Sequence, residues 1–116
     1  MLNNVSIMGR FVDAPIIKHT PSGVPVLSFS LAVERNYKKE GEEKREVDFI
    51  DFEAWQKTAE FIERNFKKGQ LIAVVGEITT NSYTDKEDKK RKDTYIKVQE
   101  AHFAGAAPQK DNEDSQ

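Results

Sequence analysis

Along most of this chain apolar residues alternate with polar or small ones, and in one segment they recur at helical spacing. Val5, Ile7, Gly9 and Phe11 share one side of a strand over Val5 to Phe11. Ile16-Ile17 begins a second short strand. Thr20-Pro21-Ser22-Gly23 is a turn, since proline presets φ and glycine tolerates a positive value. The clearest strand follows, with Leu27, Phe29, Leu31 and Val33 alternating with Val26, Ser28, Ser30 and Ala32. One face is apolar and the other small or polar, so one side packs on a core. Lys38 to Glu46 is charged around Gly41 and reads as a hairpin loop. Val47 to Trp55 is a strand again. It places Ile50, Phe52 and Ala54 on one side, and Val47, Phe49, Asp51, Glu53 and Trp55 on the other.

The helical spacing lies in Thr58 to Phe66, where Ala59, Ile62 and Phe66 form the stripe. Lys67 and Lys68 stand where a helix C-terminus favours positive charge, and Gly69 stops the helix. Leu71 to Thr80 is an apolar strand holding Gly76, Asp85 to Asp93 a long charged hairpin, and Thr94 to Phe103 the last strand. From Gly105 onward the residues are small and polar. The pattern predicts a folded domain over 1–104 and a short disordered acidic tail over 105–116. Five or six strands with one mid-chain helix fit a mainly β fold, a small closed or partly open barrel.

Composition narrows the classes further. A length of 116 residues suggests one domain. The chain lacks cysteine, which excludes disulfides and thiolate zinc sites. No apolar run approaches the roughly 20 residues of a membrane span. The start, Met1-Leu2-Asn3-Asn4, has neither the basic residues nor the cleavage site of a signal peptide, so a cytoplasmic protein is expected. The net charge of −2 argues weakly against a nucleic-acid partner. Residues 105–116 account for it, with Lys110 against Asp111, Glu113 and Asp114. A neutral body still binds a polyanion if its charges are segregated and stacking supplies much of the energy.

Four aromatic residues fall where a core does not need them. Phe49 and Trp55 share a face with Asp51 and Glu53, and two unpaired carboxylates do not belong in a core. Both rings are therefore expected on a solvated face. Tyr37 lies at a strand end before Lys38-Lys39, and Tyr83 precedes Lys86 and the Lys89-Lys90-Arg91-Lys92 run. Rings interleaved with cations suit an unpaired nucleic acid: bases stack on rings at about 1–3 kcal/mol each, and cations neutralise phosphates. The candidate cations are Arg10, Lys38, Lys39, Lys57, Lys86, Lys89, Lys90, Arg91 and Lys92. The plainer account makes Trp55 a barrel-end plug, the tyrosines ordinary strand residues, and the basic run a solvated loop flanked by Glu87, Asp88 and Asp93.

No pattern for catalysis, a metal or a cofactor stands out. His19 and His102 are far apart, without metal-ligand spacing around either. Gly9-Arg10 and Lys68-Gly69 do not build a phosphate loop. No pair of carboxylates is marked by an apolar setting that would raise one pKa.

From Met1 to about Phe103 the chain resembles the bacterial single-stranded DNA-binding protein family. Four motifs carry the resemblance, in order and correctly spaced: Met1-Leu2-Asn3 with Gly9-Arg10; Thr20-Pro21-Ser22-Gly23 with Val26, Phe29 and Leu31-Ala32-Val33; Asp48-Phe49-Ile50 with Trp55 and Ala59-Glu60; and Lys67-Lys68-Gly69 with Val75-Gly76-Glu77. The resemblance implies an OB-fold, a five-stranded Greek-key barrel. It also implies a homotetramer that wraps single-stranded DNA without sequence preference in replication, recombination or repair. It assigns stacking to Tyr37, Phe49, Trp55 and Tyr83, and a dimer contact to the first strand with Gly9. No cofactor, catalysis or membrane is implied, and the setting would be the cytoplasm, at the nucleoid.

Two departures stand out. Asp51 and Glu53 occupy positions that are usually neutral or basic in that family, and like charge near phosphates is expected to weaken binding. The ending Asp111-Asn112-Glu113-Asp114-Ser115-Gln116 is acidic but lacks the family's long linker and apolar tip, through which repair enzymes are recruited. It suggests a secondary paralogue or a phage or mobile-element member; a truncated chain would look the same. Two rivals are a primosome-type OB adaptor of replication restart and a small nucleic-acid hydrolase. The four retained aromatics argue against the first. The second needs a carboxylate or histidine cluster.

Overall fold

The computed structural model describes residues 1–105, so all but the first residue of the expected acidic tail lies outside the described residues. Its elements are β1 (Val5–Phe11), β2 (Lys18–His19), β3 (Pro25–Glu34), β4 (Val47–Trp55), α1 (Gln56–Asn65), β5 (Leu71–Thr84) and β6 (Lys90–Phe103). The sheet runs β1-β5-β6-β4-β3-β2, and β1 also pairs with β3 through Arg10 opposite Ala32 and Phe11 opposite Leu31. Five strands therefore close on themselves, with β2 attached outside the ring. The pairing of β4 with β6 is parallel and the others are antiparallel. This closed ring, with one helix between its third and fourth strands, is an OB-fold.

The barrel interior is filled by the alternate residues that the strand pattern marks as apolar. Leu27, Leu31, Phe52, Ala54, Ile72, Val74, Ile96 and Val98 are buried. Phe29 and Phe52, opposite each other on β3 and β4, stack with centroids 5.2 Å apart. Helix α1 closes one end of the barrel with Ala59 and Ile62, while Phe66, just past it, lies 5.7 Å from Phe11.

Several boundaries differ from the pattern reading. The second strand is Lys18–His19 rather than a strand begun at Ile16-Ile17; Ile16 is exposed, and the Ile17 N–H donates to Glu63 Oε2 at 2.7 Å. The helix starts at Gln56 and ends at Asn65, because Phe66 already has an extended backbone. Gly69 therefore does not cap it. Its φ of 84° serves the tight turn Lys67–Gln70, where the Gln70 N–H donates to the Lys67 carbonyl. The last hairpin has a short turn rather than a charged loop over Asp85 to Asp93. β5 continues to Thr84 and β6 begins at Lys90, forming a two-stranded ribbon beyond the barrel.

Candidate nucleic-acid interface

The outward face of β4 follows from its inward one. With Phe52 and Ala54 in the core, strand alternation sends Phe49, Asp51, Glu53 and Trp55 to the other side. Phe49 is 70% exposed and Trp55 39%. Across the ladder on β3 stand Ala32, Ser30, Ser28 and Val26, small side chains beside the rings. Neither carboxylate between the rings is without a partner. Ser30 Oγ donates to Asp51 Oδ1 at 2.6 Å, and the Trp55 indole Nε1–H donates to Glu53 Oε1 at 2.7 Å.

The same face continues onto β6 and β5. Phe52 pairs with buried Ile96, so the next pair, Glu53 and Lys97, points outward. Counting by two along β6 from Lys97 brings Tyr95, Asp93 and Arg91 to this side. Their β5 partners Thr79, Asn81 and Tyr83 come with them. A groove of about 490 Å³ runs here, lined by Ser28, Ser30, Asp51, Glu53, Asn81, Asp93 and Tyr95, with Asp13 from the β1–β2 connection. Four carboxylates line it, and no lysine or arginine does. Half-buried Tyr95 is a further aromatic of this face that the sequence reading passed over. Alternation with Ile96 and Val98 inward was the signal that could have found it.

The ribbon and its turn carry most of the expected phosphate-binding cations: Lys86, Lys89, Lys90, Arg91 and Lys92. Tyr83, 46% exposed, stands directly opposite Arg91. It lines a shallow pocket with Lys90, Arg91 and Lys92. Lys90 and Lys92 take the opposite parity to Arg91 and so project from the other side of the ribbon. Arg91 Nε also donates to Asp85 Oδ2 at 2.8 Å, while the Glu87 and Lys89 N–H groups donate to Asp85 Oδ1. Arg91 above all, and then these backbone donors, hold the Asp85 carboxyl below its ordinary pKa. Lys89 lies 4.0 Å from Glu87. Among the described residues, Lys57, Lys86, Lys90 and Lys92 enter no ion pair.

Tyr37 and its neighbours stand elsewhere. Tyr37, 62% exposed, follows β3 and lines a different groove, about 730 Å³, with Met8, Val33, Arg35, Asp48 and Ile50. Asp48 and Ile50 have the inward parity of β4, so this groove does not join the face that carries Phe49 and Trp55. An ion network ties down the base of its loop. Arg35 reaches Asp48 at 3.0 Å and Glu46 at 2.7 Å, and Lys39 reaches Glu46 at 2.7 Å. Asp48 is the main cause of a raised Arg35 pKa, and Arg35 holds the Asp48 carboxyl low. Of the remaining expected cations, Lys38 donates to the Glu43 carbonyl, Arg10 donates to the Gly69 carbonyl at 3.3 Å, and Lys57 is exposed on the first turn of α1.

Among the described residues, no three histidine, aspartate or glutamate side chains are placed to hold a metal ion, and no helix is long and apolar enough to cross a membrane. Comparison with known proteins finds several similar chains that share one name. The chain is 36% identical over 121 residues to a single-stranded DNA-binding protein of Caldanaerobacter subterraneus, an alignment covering 97% of this chain and 80% of the relative. It is 42% identical over 103 residues to single-stranded DNA-binding protein 3 of Clostridium acetobutylicum, covering 88% and 70%. Single-stranded DNA-binding protein 1 of Streptococcus pyogenes is 41% identical over 90 residues, covering 78% and 68%. With exposed rings on the outer wall of an OB barrel, cations on the adjoining ribbon, and a family model that matches residues 2–104, the chain belongs to the single-strand binding protein family.

Proposed function

We propose that this protein binds and protects single-stranded DNA without sequence preference, by stacking bases on Phe49, Trp55, Tyr83 and Tyr37 and by neutralising phosphates with lysines and arginines. The observation that carries the reading is the outward placement of Phe49 and Trp55 on β4, continuous with Tyr83 and Arg91 on the ribbon. Large rings that the core leaves partly exposed are stacking platforms for a partner with flat faces, and every base has one. The barrel wall formed by β3 and β4, the second and third strands of the ring, is also where OB-folds take oligonucleotides, an analogy at the level of the fold. The names of the relatives point the same way.

Residues 1–104 form the DNA-binding domain in this reading, and 105–116, with net charge −2, compete weakly with phosphate for the cations. The chain assembles as a homotetramer, performs no chemistry on the strand, and works on cytoplasmic DNA in replication, recombination or repair. The phosphate contacts come from Lys57, Lys86, Lys89, Lys90, Arg91 and Lys92, helped by Arg10, Lys38 and Lys39.

Trp55 is the only tryptophan, so its fluorescence reports on one place. Titration with oligo-dT at two salt concentrations is expected to quench it strongly, with weaker binding at the higher salt. Absence of binding at low salt, seen by fluorescence and by gel shift, would overturn the proposal. Sedimentation showing a stable monomer at micromolar concentration would remove the tetramer.

A further inference from the structure

We infer that Glu53 is a positioning residue for the DNA-stacking ring of Trp55: its carboxylate holds the indole by the Nε1–H and so sets the plane on which a base lands. This deepens the single-stranded DNA reading, and its DNA arm rests on that reading. The two residues are two apart on β4, so their side chains leave the same face side by side. The indole N–H is a donor only, and the Glu53 oxygen accepts it at 2.7 Å, the short range of a charge-assisted bond.

Among the described residues this is the ring's one hydrogen bond, on a side chain that stays 39% exposed. Trp55 is the last residue of β4, and the chain turns at once into α1 through Gln56, whose φ is 54°. Its opposite number on β3 is Val26, which offers no polar partner, and the described β4–β6 pairing covers only Phe52 and Glu53. The bond is also specific to this ring. Phe49 has no polar hydrogen, and its neighbour Asp51 accepts from Ser30 instead. Glu53 therefore acts on DNA in two opposed ways. Its charge repels phosphate, while its hydrogen bond orders the platform before a base arrives.

Two kinds of substitution separate these effects. Glu53→Gln keeps an acceptor oxygen and removes the charge. Glu53→Leu and Glu53→Val remove both, and the pair guards against a packing fault peculiar to one of them. In dilute buffer the Gln variant is expected to bind oligo-dT more tightly than the natural protein. The Leu and Val variants are expected to bind about threefold or more weakly than the Gln variant, the cost of ordering one side chain on binding. In free protein, time-resolved anisotropy of Trp55 gives a readout without DNA. The fast local motion is expected to stay small with Gln and to grow with Leu and Val. Identical decays in all the proteins would overturn the inference, as would Leu and Val variants that bind as tightly as the Gln variant. If no protein in the series binds oligo-dT, the DNA reading falls, and the anisotropy decays still decide whether Glu53 holds the ring.

Discussion

On the barrel wall, Phe49 and Trp55 stand on a strand whose other side is core; on the ribbon, Tyr83 stands on a hairpin exposed on both sides. The wall has rings and carboxylates, and its cation Lys97 stands on β6 opposite Glu53 of β4 and Glu77 of β5. The ribbon has a ring and cations, and of these only Arg91 and Lys89 are drawn toward carboxylates. In the proposed function the wall stacks bases and the ribbon neutralises phosphates. Stacking needs a plane held still by a core, whereas phosphate attraction works over several ångströms from a mobile side chain.

Removing the rings tests the first half of that division and has the largest expected effect. Phe49→Ala and Trp55→Ala should each weaken oligo-dT binding by about 1–3 kcal/mol, with little change in salt dependence. Labelled-DNA anisotropy measures this, since the second variant has no tryptophan. A loss confined to the Tyr83→Ala variant would move the stacking site from the wall to the ribbon.

Gly76 stands near the point where the two regions meet. It sits beside a β-bulge in the β5–β6 ladder, and a Cβ there would collide with the Lys97 carbonyl oxygen. Gly76→Ala should cost about 1–3 kcal/mol in denaturant unfolding, the range for overpacking a well-filled site. Because Lys97 faces the wall, DNA binding should suffer with it. Unchanged stability would mean that β6 can shift freely, and the wall would lose its claim to rigidity.

The ribbon's share is read in salt. Replacing Lys90, Arg91 and Lys92 with alanine should reduce the log–log salt slope by about 0.7 for each phosphate that is no longer neutralised, while ring variants leave the slope alone. Acid offers a milder test. Asp85 has a lowered pKa in the fold, so its contribution to the turn is present above the ordinary carboxylate value of 3.8 and is lost as pH falls through the lowered one. Backbone amide NMR should show the Asp85–Lys89 turn loosening in acid while the barrel signals hold. Loss of both together would make ribbon and barrel one cooperative unit.

The wall was legible in the sequence and the ribbon largely was not. Parity along Val47 to Trp55 is enough to place Phe49 and Trp55 outside, because the core demands Phe52 and Ala54 and a strand has only two faces. The ribbon has no buried side, so alternation leaves no trace: Lys90 to Asp93 reads as part of a charged hairpin loop although it pairs residue by residue with Asn81 to Thr84. The helix start failed for a related reason. Trp55 takes the N-cap position with no side-chain cap, so the capping signal that usually marks a first turn is missing. The lysines beside Tyr37 group it with the other rings, but they carry no information about which side of the sheet its loop leaves.

The smallest effect concerns Asp51, the carboxylate of the wall that holds no ring. Asp51→Asn keeps an oxygen for the Ser30 hydroxyl, so the local geometry should survive while the charge goes. Asp51 shares its groove with Asp13, Glu53 and Asp93, and a DNA backbone crossing from Phe49 toward the ribbon would pass this unrelieved negative charge. Removing one of the four should tighten oligo-dT binding by less than about 1 kcal/mol, since an exposed charge is already well screened by solvent. The gain should shrink as salt rises and the screening length falls toward contact distances. If Asp51→Asn leaves affinity unchanged at low salt, the strand's phosphates run away from this groove. The path from wall to ribbon would then follow the rim of the barrel, past Lys57, rather than the groove floor.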